Sequence, residues 1–383
     1  MDKVYLYKCD SYEEKEINKV IDELVNSFSF LKTIKKGTKV VIKANLVSAM
    51  PPDKNATTNP ELIRALVTYL KKRGCIVTIG DSPSLLFNKT FLTRIYNATK
   101  MNETGALLND NFNVTEVSYK DANVLKTFEY TSYIDDADIK INFCKLKTHG
   151  MMGLSAAVKN LFGLIPGTTK PSYHYRFPNP ELFANMLIDI NEYFHFDLNI
   201  VDGIYGMEGN GPTQGDSRFI GLVLASVNPY ALDYTCSQVI NIKSENIETI
   251  VQSEKRGFFN HDKIEYNMDY KPFIVKDFKG VTDRGDLKFY KDSKGIFTKL
   301  ISIGADKMFE NKPNVNKKKC IGCGKCANIC PAKAITMVDK KPVIDRSKCI
   351  KCYCCQEFCP VGAMVVKSSM IAKVLKNKKK EKE

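Results

Sequence analysis

An α/β domain with a largely parallel sheet covered by helices, followed by a small cysteine-rich α+β domain, is the architecture this sequence predicts. Three observations predict it. Apolar runs of strand length alternate with amphipathic runs of helix length through the first 294 residues. Two helix entries share the start Asn-Pro-Glu, at Asn59 and Asn179. Nine of the 13 cysteines fall between positions 320 and 359. A length of 383 residues agrees with two or three domains at about 100–200 residues each. The expected division is an α/β domain over 1–294, a linker with a docking helix over 295–314, the cysteine domain over 315–367 and a basic tail over 368–383.

Each element has its own signal. Ile17, Val20, Ile21, Leu24, Val25, Phe28 and Leu31 recur at helical spacing, and TKVVIKANLV after Gly37 reads as a buried strand. Asn59 as N-cap, Pro60 at the first helical position and Glu61 in the first turn open a helix that Gly74 stops. CIVTIG, VTEVSY, ADIKINF, LNIVDGI and FIGLVLAS read as further strands, and the entry at Asn179 opens the helix that leads into LNIVDGI. Ile296, Phe297, Leu300, Ile301 and Met308 suggest the docking helix, with Pro313 marking the exit from it.

Open α/β sheets bind ligands beyond the carboxyl ends of their strands, so the candidate residues are sought there. Lys43 and Asn45 follow the first such strand, and Asp81, Ser82 and Ser84 the second. After ADIKINF come Lys145, Lys147, Thr148 and His149, then Lys159 and Asn160 on an expected helix. After LNIV come Asp202 and the loop carrying Glu208. Lys145 and Lys147 share one strand face, where with His149 they could grip a carboxylate or phosphate; the plainer reading is a solvated strand end. His149 suits proton transfer or a structural role. Glu208, Asp202 and Asp216 suit proton movement, a hard metal or simply a turn. MEGNGPTQG meets neither glycine-rich nucleotide pattern. Tyr173, His174, Tyr175 and Arg176 read as half-buried loop packing, or as a platform for an aromatic substrate.

The cysteine domain carries the sharpest signal. Cys320, Cys323, Cys326 and Cys330 have the spacing C-x2-C-x2-C-x3-C-P, and Cys349, Cys352, Cys355 and Cys359 repeat it 29 residues later. In this pattern the cysteine before proline ligates the other 4Fe–4S cluster. Cys320, Cys323, Cys326 and Cys359 are therefore expected on one cluster, and Cys349, Cys352, Cys355 and Cys330 on the second. The repeat reads as two halves, each a cysteine loop followed by a short helix at CPAKAI or CPVGAM, with Gly322 and Gly324 allowing close backbone approach. Zinc is the alternative metal. Cys354 reads as an extra small buried side chain rather than a ligand.

Here the chain resembles the bacterial-type two-cluster ferredoxins, over roughly residues 315–367, which implies one-electron transfer and a ferredoxin-like α+β fold for this domain. The ordered blocks VVIKANLV, ATTNPELIRALV, GDSPS, KLKTHGMMGLSAAVKNLFGLIPG, VDGIYGMEGNGPTQGD and NPYALDY are similar to the family catalogued as domain of unknown function 362, over about residues 38–240. That resemblance implies architecture and redox association, since members are often fused to such a ferredoxin domain. It implies no reaction.

Composition and charge narrow the function. With 44% hydrophobic and 26% charged residues the chain is globular, and no stretch of 18 apolar residues could span a bilayer. The start MDKVYLYKCDSYEEKE is too charged for a secretory signal, so the expected location is cytoplasmic, where clustered cysteines bind metal rather than pair. The net charge is +14, yet residues 311–383 hold 18 Lys and Arg against five Asp and Glu, and the rest is nearly balanced. That excess suits an acidic partner. Nucleic acid is disfavoured for want of a binding motif. The expected function is an iron–sulfur redox protein with two 4Fe–4S clusters and an unknown further cofactor. It passes single electrons to or from a site on the α/β domain that acts on an anionic small molecule. Lys43, Asn45, Asp81, Lys145, Lys147, Lys159 and Asp202 would bind that molecule, and His149 and Glu208 would move protons. The alternative is a non-catalytic electron-transfer or reductive-activation protein that docks a client protein; clusters used purely as structural staples are a third class.

Overall fold

The computed structural model describes residues 2–83, 86–281 and 312–367. The chain divides into two compact units, Met1–Phe278 and Lys279–Glu383. The expected boundary at 294, the docking-helix residues 295–311, Ser84 and the tail from 368 lie outside the described residues.

Strands of the first unit are β1 (Lys3–Lys8), β2 (Lys39–Ala44), β3 (Ile76–Gly80), β4 (Leu107–Leu108), β5 (Val114–Ser118), β6 (Thr127–Thr131), β7 (Ile139–His149), β8 (Gly153–Ser155), β9 (Leu198–Glu208), β10 (Asp216–Ser226) and β11 (Glu265–Tyr266). The main sheet has the order β11-β1-β10-β9-β7-β2-β3-β4, with β8 paired to β7. From β9 to β4 all neighbours run parallel, whereas β10 is antiparallel to both β9 and β1. The sheet is therefore largely parallel, as its β/α alternation predicts. VTEVSY forms a strand, but as β5 in a separate antiparallel hairpin with β6. Its side chains alternate exposed and half-buried, which suits a hairpin with one wet face rather than a doubly covered sheet.

Helices of this unit are α1 (Glu14–Ser27), α2 (Ser29–Lys32), α3 (Pro60–Lys72), α4 (Lys89–Ala98), α5 (Ala157–Asn160), α6 (Lys170–Arg176), α7 (Pro180–Phe194), α8 (Pro229–Val239) and α9 (Glu248–Lys255). The expected helix over 17–31 breaks at Phe28, whose backbone is extended, so Leu31 reaches the core from α2. The Asn-Pro-Glu entries cap as their residue types require: Asn59 Oδ1 accepts from the Glu61 amide at 2.9 Å, and Asn179 Oδ1 from the Leu182 amide at 2.8 Å. Ile17 and Leu24 of α1 and Leu62, Leu66 and Leu70 of α3 pack with Ile42, Ile79 and Phe143 in one core cluster. Burying each such side chain contributes about 1.5–3 kcal/mol. By strand alternation Asn142 points to the other face, where it meets α5. The segment KPSYHYR, expected as loop, is α6; His174 is buried and stacks on Phe183 at 4.5 Å between centroids.

The second unit pairs β12 (Lys312–Val315) with β15 (Met364–Lys367), and β13 (Ile335–Val338) with β14 (Lys341–Ile344), all antiparallel. Its one-turn helices are α10 (Lys325–Asn328) and α11 (Cys354–Glu357). They lie inside the cysteine motifs, not after them, so CPAKAI and CPVGAM lead into β13 and β15 instead of forming helices. Proline before so short a run leaves only enough chain for a turn and a strand.

Candidate functional site

Two adjoining polar clusters occupy the carboxyl ends of β2, β3, β7 and β9. Lys145 and Asp202 are register partners on β7 and β9, so the parallel ladder itself sets their side chains together. Lys145 Nζ lies 2.9 Å from Asp202 Oδ2, and also donates to Tyr12 Oη at 2.7 Å and Asn55 Oδ1 at 3.3 Å. Tyr12 donates in turn to Asp202 Oδ1 at 2.7 Å. Lys147 Nζ reaches Asn45 Oδ1 at 2.6 Å and the Ala56 carbonyl at 2.7 Å. The two lysines thus share a face, as their spacing predicts, but each is only 1% exposed. The expectation of a solvated strand end is overturned, because polar partners satisfy both ammonium groups inside the protein.

Beside these, Lys43 Nζ pairs with Asp81 Oδ1 at 2.7 Å and donates to Asn160 Oδ1 at 2.9 Å. Asn160 Oδ1 also accepts from Asn45 Nδ2 at 2.8 Å, which joins the Lys43 cluster to Lys147 through Asn45. Burial pushes the Lys43 and Lys145 pKa values down, and their carboxylate partners oppose that shift. Lys43 and Lys145 are therefore matched by internal carboxylates, which corrects the expectation that all four lysines face an exogenous anion. The fourth, Lys159 on α5, is half-buried, with Nζ 5.6 Å from the Phe162 ring centroid.

Gly163 shows how tightly this pair is enclosed. A Cβ there would sit 2.2 Å from Asp81 Oδ1 and 2.3 Å from Lys43 Nζ. Gly163→Ala is therefore expected to cost about 1–3 kcal/mol through overpacking, read as a lower urea midpoint. An unchanged midpoint would show that the ion pair can move aside.

His149 and Glu208 are the last residues of β7 and β9. His149 is buried, and its Nδ1 accepts from the Met151 and Met152 amides at 3.1 and 3.2 Å, closing the turn between β7 and β8. Glu208 ends β9, buried, opposite Asp216 in the register with β10. MEGNGPTQG is thus the connection of an antiparallel pair. Asp216 is exposed, whereas Asp202 is enclosed by Lys145 and Tyr12, so the three acids do not share one environment.

Asp233 on α8 holds the start of α5, accepting from the Ala157 amide at 2.7 Å and the Val158 amide at 3.2 Å. Burial raises its pKa from 3.8 to about 7, against the pull of those two amides. A carboxyl raised in the folded state binds more protons there than in the unfolded chain. Its contribution is complete below pH 4 and is lost as pH rises through about 7. Unfolding midpoints from pH 5.5 to 8 are expected to fall more steeply for the wild type than for Asp233→Asn; parallel curves would refute the assignment.

In the second unit Cys320, Cys323, Cys326 and Cys359 line one cavity, closed by apolar groups that include Met337, Pro342 and Met364. Three of these thiols come from the first motif and the fourth from the second. Around the other motif, burial first and then the neighbouring Cys352, Cys349 and Cys330 push the Cys355 pKa up. Cys330 Sγ accepts from the Ala334 amide at 3.2 Å, and Cys359 Sγ from the Ala363 amide at 3.1 Å, again 29 residues apart. Among the described residues no three His, Cys, Asp or Glu side chains close on a single ion. A cubane asks for a wider cradle, with one thiolate at each iron corner, and an all-cysteine donor set suits it. Gly322 meets the expected close approach, since a Cβ would lie 2.7 Å from the Lys340 carbonyl; Gly324 is instead required by its φ of +73°. Cys354 is 1% exposed and packs with Ile329 and Cys352.

The family model described as Domain of unknown function (DUF362) matches residues 40–238, more than half of the chain. The chain belongs to this family. A second model, described as a 4Fe-4S dicluster domain, matches residues 319–363, so the chain also carries an iron–sulfur electron-transfer domain. A thylakoid-associated protein of Synechocystis sp. is 28% identical over 262 residues, covering 66% of this chain and 79% of that protein. Formate hydrogenlyase subunit 6 of Escherichia coli is 47% identical over 38 residues, 10% of this chain and 21% of that one. Among solved structures, the lactate racemase apoprotein of Thermoanaerobacterium thermosaccharolyticum aligns with a TM-score of 0.42 at 13% identity, over 63% of this chain and 57% of that one. A Thermotoga maritima protein aligns at 0.36 and 13%, over 52% of each chain. The chain spans little more than half the length of either solved protein. No described helix is long and apolar enough to cross a membrane.

Within the DUF362 region the structure brings Lys43, Asn45, Asp81, Lys145, Lys147 and Asp202 together. Sequence reasoning missed Tyr12, Asn55 and Gly163. Tyr12 and Asn55 reach Lys145 from 133 and 90 positions away, and no local pattern announces them.

Proposed function

We propose that this protein is an iron–sulfur oxidoreductase that uses single electrons in a reaction of an anionic small molecule at the strand ends of its α/β unit. The observation that carries the redox half is the cavity lined by Cys320, Cys323, Cys326 and Cys359, to which both motifs contribute cysteines. These four would hold one 4Fe–4S cluster, and Cys349, Cys352, Cys355 and Cys330 the other. When bound, the clusters supply one-electron exchange, and the amide donors of Ala334 and Ala363 tune it.

In the α/β unit, Asp81 and Asp202 hold Lys43 and Lys145 in place and shape the floor of the site. Lys159, half-buried on α5, and Asn45, half-buried after β2, present the polar contacts to an anion. His149, whose Nδ1 accepts amide protons, keeps its own proton on Nε2 in the neutral ring and can donate it. Glu208 is the complementary base. The basic surface of the cysteine unit favours a second reading, non-catalytic electron transfer or reductive activation with a client protein docked on the α/β unit.

Anaerobic purification followed by iron and sulfide analysis, with mass spectrometry of small molecules released on denaturation, tests the proposal. About eight irons per chain and an anionic organic ligand are expected. Lys159→Ala should lower affinity for that ligand at unchanged iron content. Iron without any ligand would favour the client-docking reading, and absence of iron would remove both.

A further inference from the structure

The two cysteine motifs are related by a shift of 29 residues, so each position in one has an equivalent in the other. Their backbones correspond: Gly322 and Lys351 both have positive φ, and so do Gly324 and Tyr353. Their surfaces do not. In the first motif Ile321 is 64% exposed, and Cys323 and Lys325 are also exposed. The equivalent Ile350 is half-buried, and Cys352, Tyr353 and Cys354 are buried. At these positions the first motif is the more exposed and the second the more buried.

Cations gather around the more exposed motif. Lys317, Lys318 and Lys319 run into Cys320, and all three are exposed. Lys325 lines the cavity of Cys320, Cys323, Cys326 and Cys359. Lys341 Nζ donates to the Cys320 carbonyl at 2.7 Å and to the Lys317 carbonyl at 3.2 Å, while the Lys340 carbonyl lies against Gly322. Cations near the more buried motif have other partners: Lys348 pairs with Asp345 at 3.5 Å, and Arg346 donates to the Pro313 carbonyl. Across residues 312–367 there are 12 Lys and Arg against three Asp and Glu, and Asp339 is the acid next to Lys340. Exposed lysines around a bare isoleucine form an apolar centre with a charged rim, the anatomy of a transient protein interface.

We propose that the loop of residues 320–326 is the docking face for a small acidic one-electron carrier protein, with Ile321 at the contact centre and Lys317–319, Lys325 and Lys340 as its electrostatic rim. This rests on the iron–sulfur reading and adds which motif meets the partner. The transfer breaks and forms no bond: the donor loses one electron and the acceptor gains it, the acidic carrier being one member of the pair. Because the first motif is the more exposed one, the cluster that Cys320, Cys323 and Cys326 would hold with Cys359 is the one that meets the partner.

The test uses full-length protein, iron-loaded and quantified beforehand, titrated calorimetrically with an acidic flavodoxin as the probe. Binding should weaken by about tenfold between 50 and 300 mM salt. The triple variant Lys318→Glu, Lys319→Glu, Lys325→Glu should bind at least about tenfold more weakly at unchanged iron content, whereas Arg346→Glu with Lys348→Glu should bind within about twofold of wild type. Ile321→Ser, which leaves charge unchanged, should weaken binding several-fold without altering the salt dependence. Equal binding by wild type and triple variant, equal losses from both motifs, or no saturable binding by protein holding about eight irons would overturn the docking face alone. A chain without iron would overturn the iron–sulfur reading as well.

Discussion

Asp202→Ala is expected to lower the stability of the α/β unit by about 3–5 kcal/mol, because it leaves a buried ammonium without its counter-charge. Lys145 is fully enclosed, and Asp202 is the carboxylate within 2.9 Å of it. Asp202 also accepts from Tyr12 and from the Asn59 amide, at 2.7 and 3.0 Å, so the same substitution unties the entry to α3. Asp202→Asn removes the charge and keeps one acceptor oxygen while turning the other into an amide donor, so it should cost less than alanine and more than nothing. The triple replacement Asp202→Leu, Lys145→Met, Tyr12→Phe removes both charges and the hydroxyl, leaving Asn55 and the Asn59 amide, and is expected to recover part of the loss. Urea unfolding followed by circular dichroism reads all three; a loss below about 1 kcal/mol for Asp202→Ala would mean that water reaches Lys145.

Cys330→Ala is expected to halve the iron content, from about eight to about four per chain, although Cys330 belongs to the first motif. Under shared ligation it serves the cluster otherwise held by Cys349, Cys352 and Cys355. The electron paramagnetic resonance spectrum remaining in reduced Cys330→Ala should match that of Cys352→Ala and differ from that of Cys323→Ala. Cys359→Ala should give the reverse match. If the Cys330→Ala spectrum instead matched Cys323→Ala, each motif would hold its own cluster and the assignment would fall.

The residues legible in the sequence are those whose roles are local. Asn59 and Asn179 cap helices through atoms two or three residues away, and the cysteine spacing marks the 4Fe-4S domain that the family model also finds. Lys43, Asn45, Asp81, Lys145, Lys147 and Asp202 could be marked as strand-end residues because strand ends are where an α/β sheet is open. Their burial could not be read in this way. A lysine next to a strand has the same local pattern whether water or a carboxylate receives it. His149 and Glu208 illustrate the same limit, since only the turn between β7 and β8 and the register with β10 reveal what surrounds them.

By itself the sequence determined the α/β class, the capped helices, the 4Fe-4S domain and the uneven charge, all encoded in periodicity, caps and spacing over short distances. Only the tertiary structure decided that Lys145 meets Asp202 and Tyr12, that Gly163 is pressed against the Lys43–Asp81 pair, and that one cysteine motif is more exposed than its repeat. Those facts depend on strand order and register, which join residues tens to more than a hundred positions apart, and burial and charge pairing are properties of such joined positions rather than of any one segment.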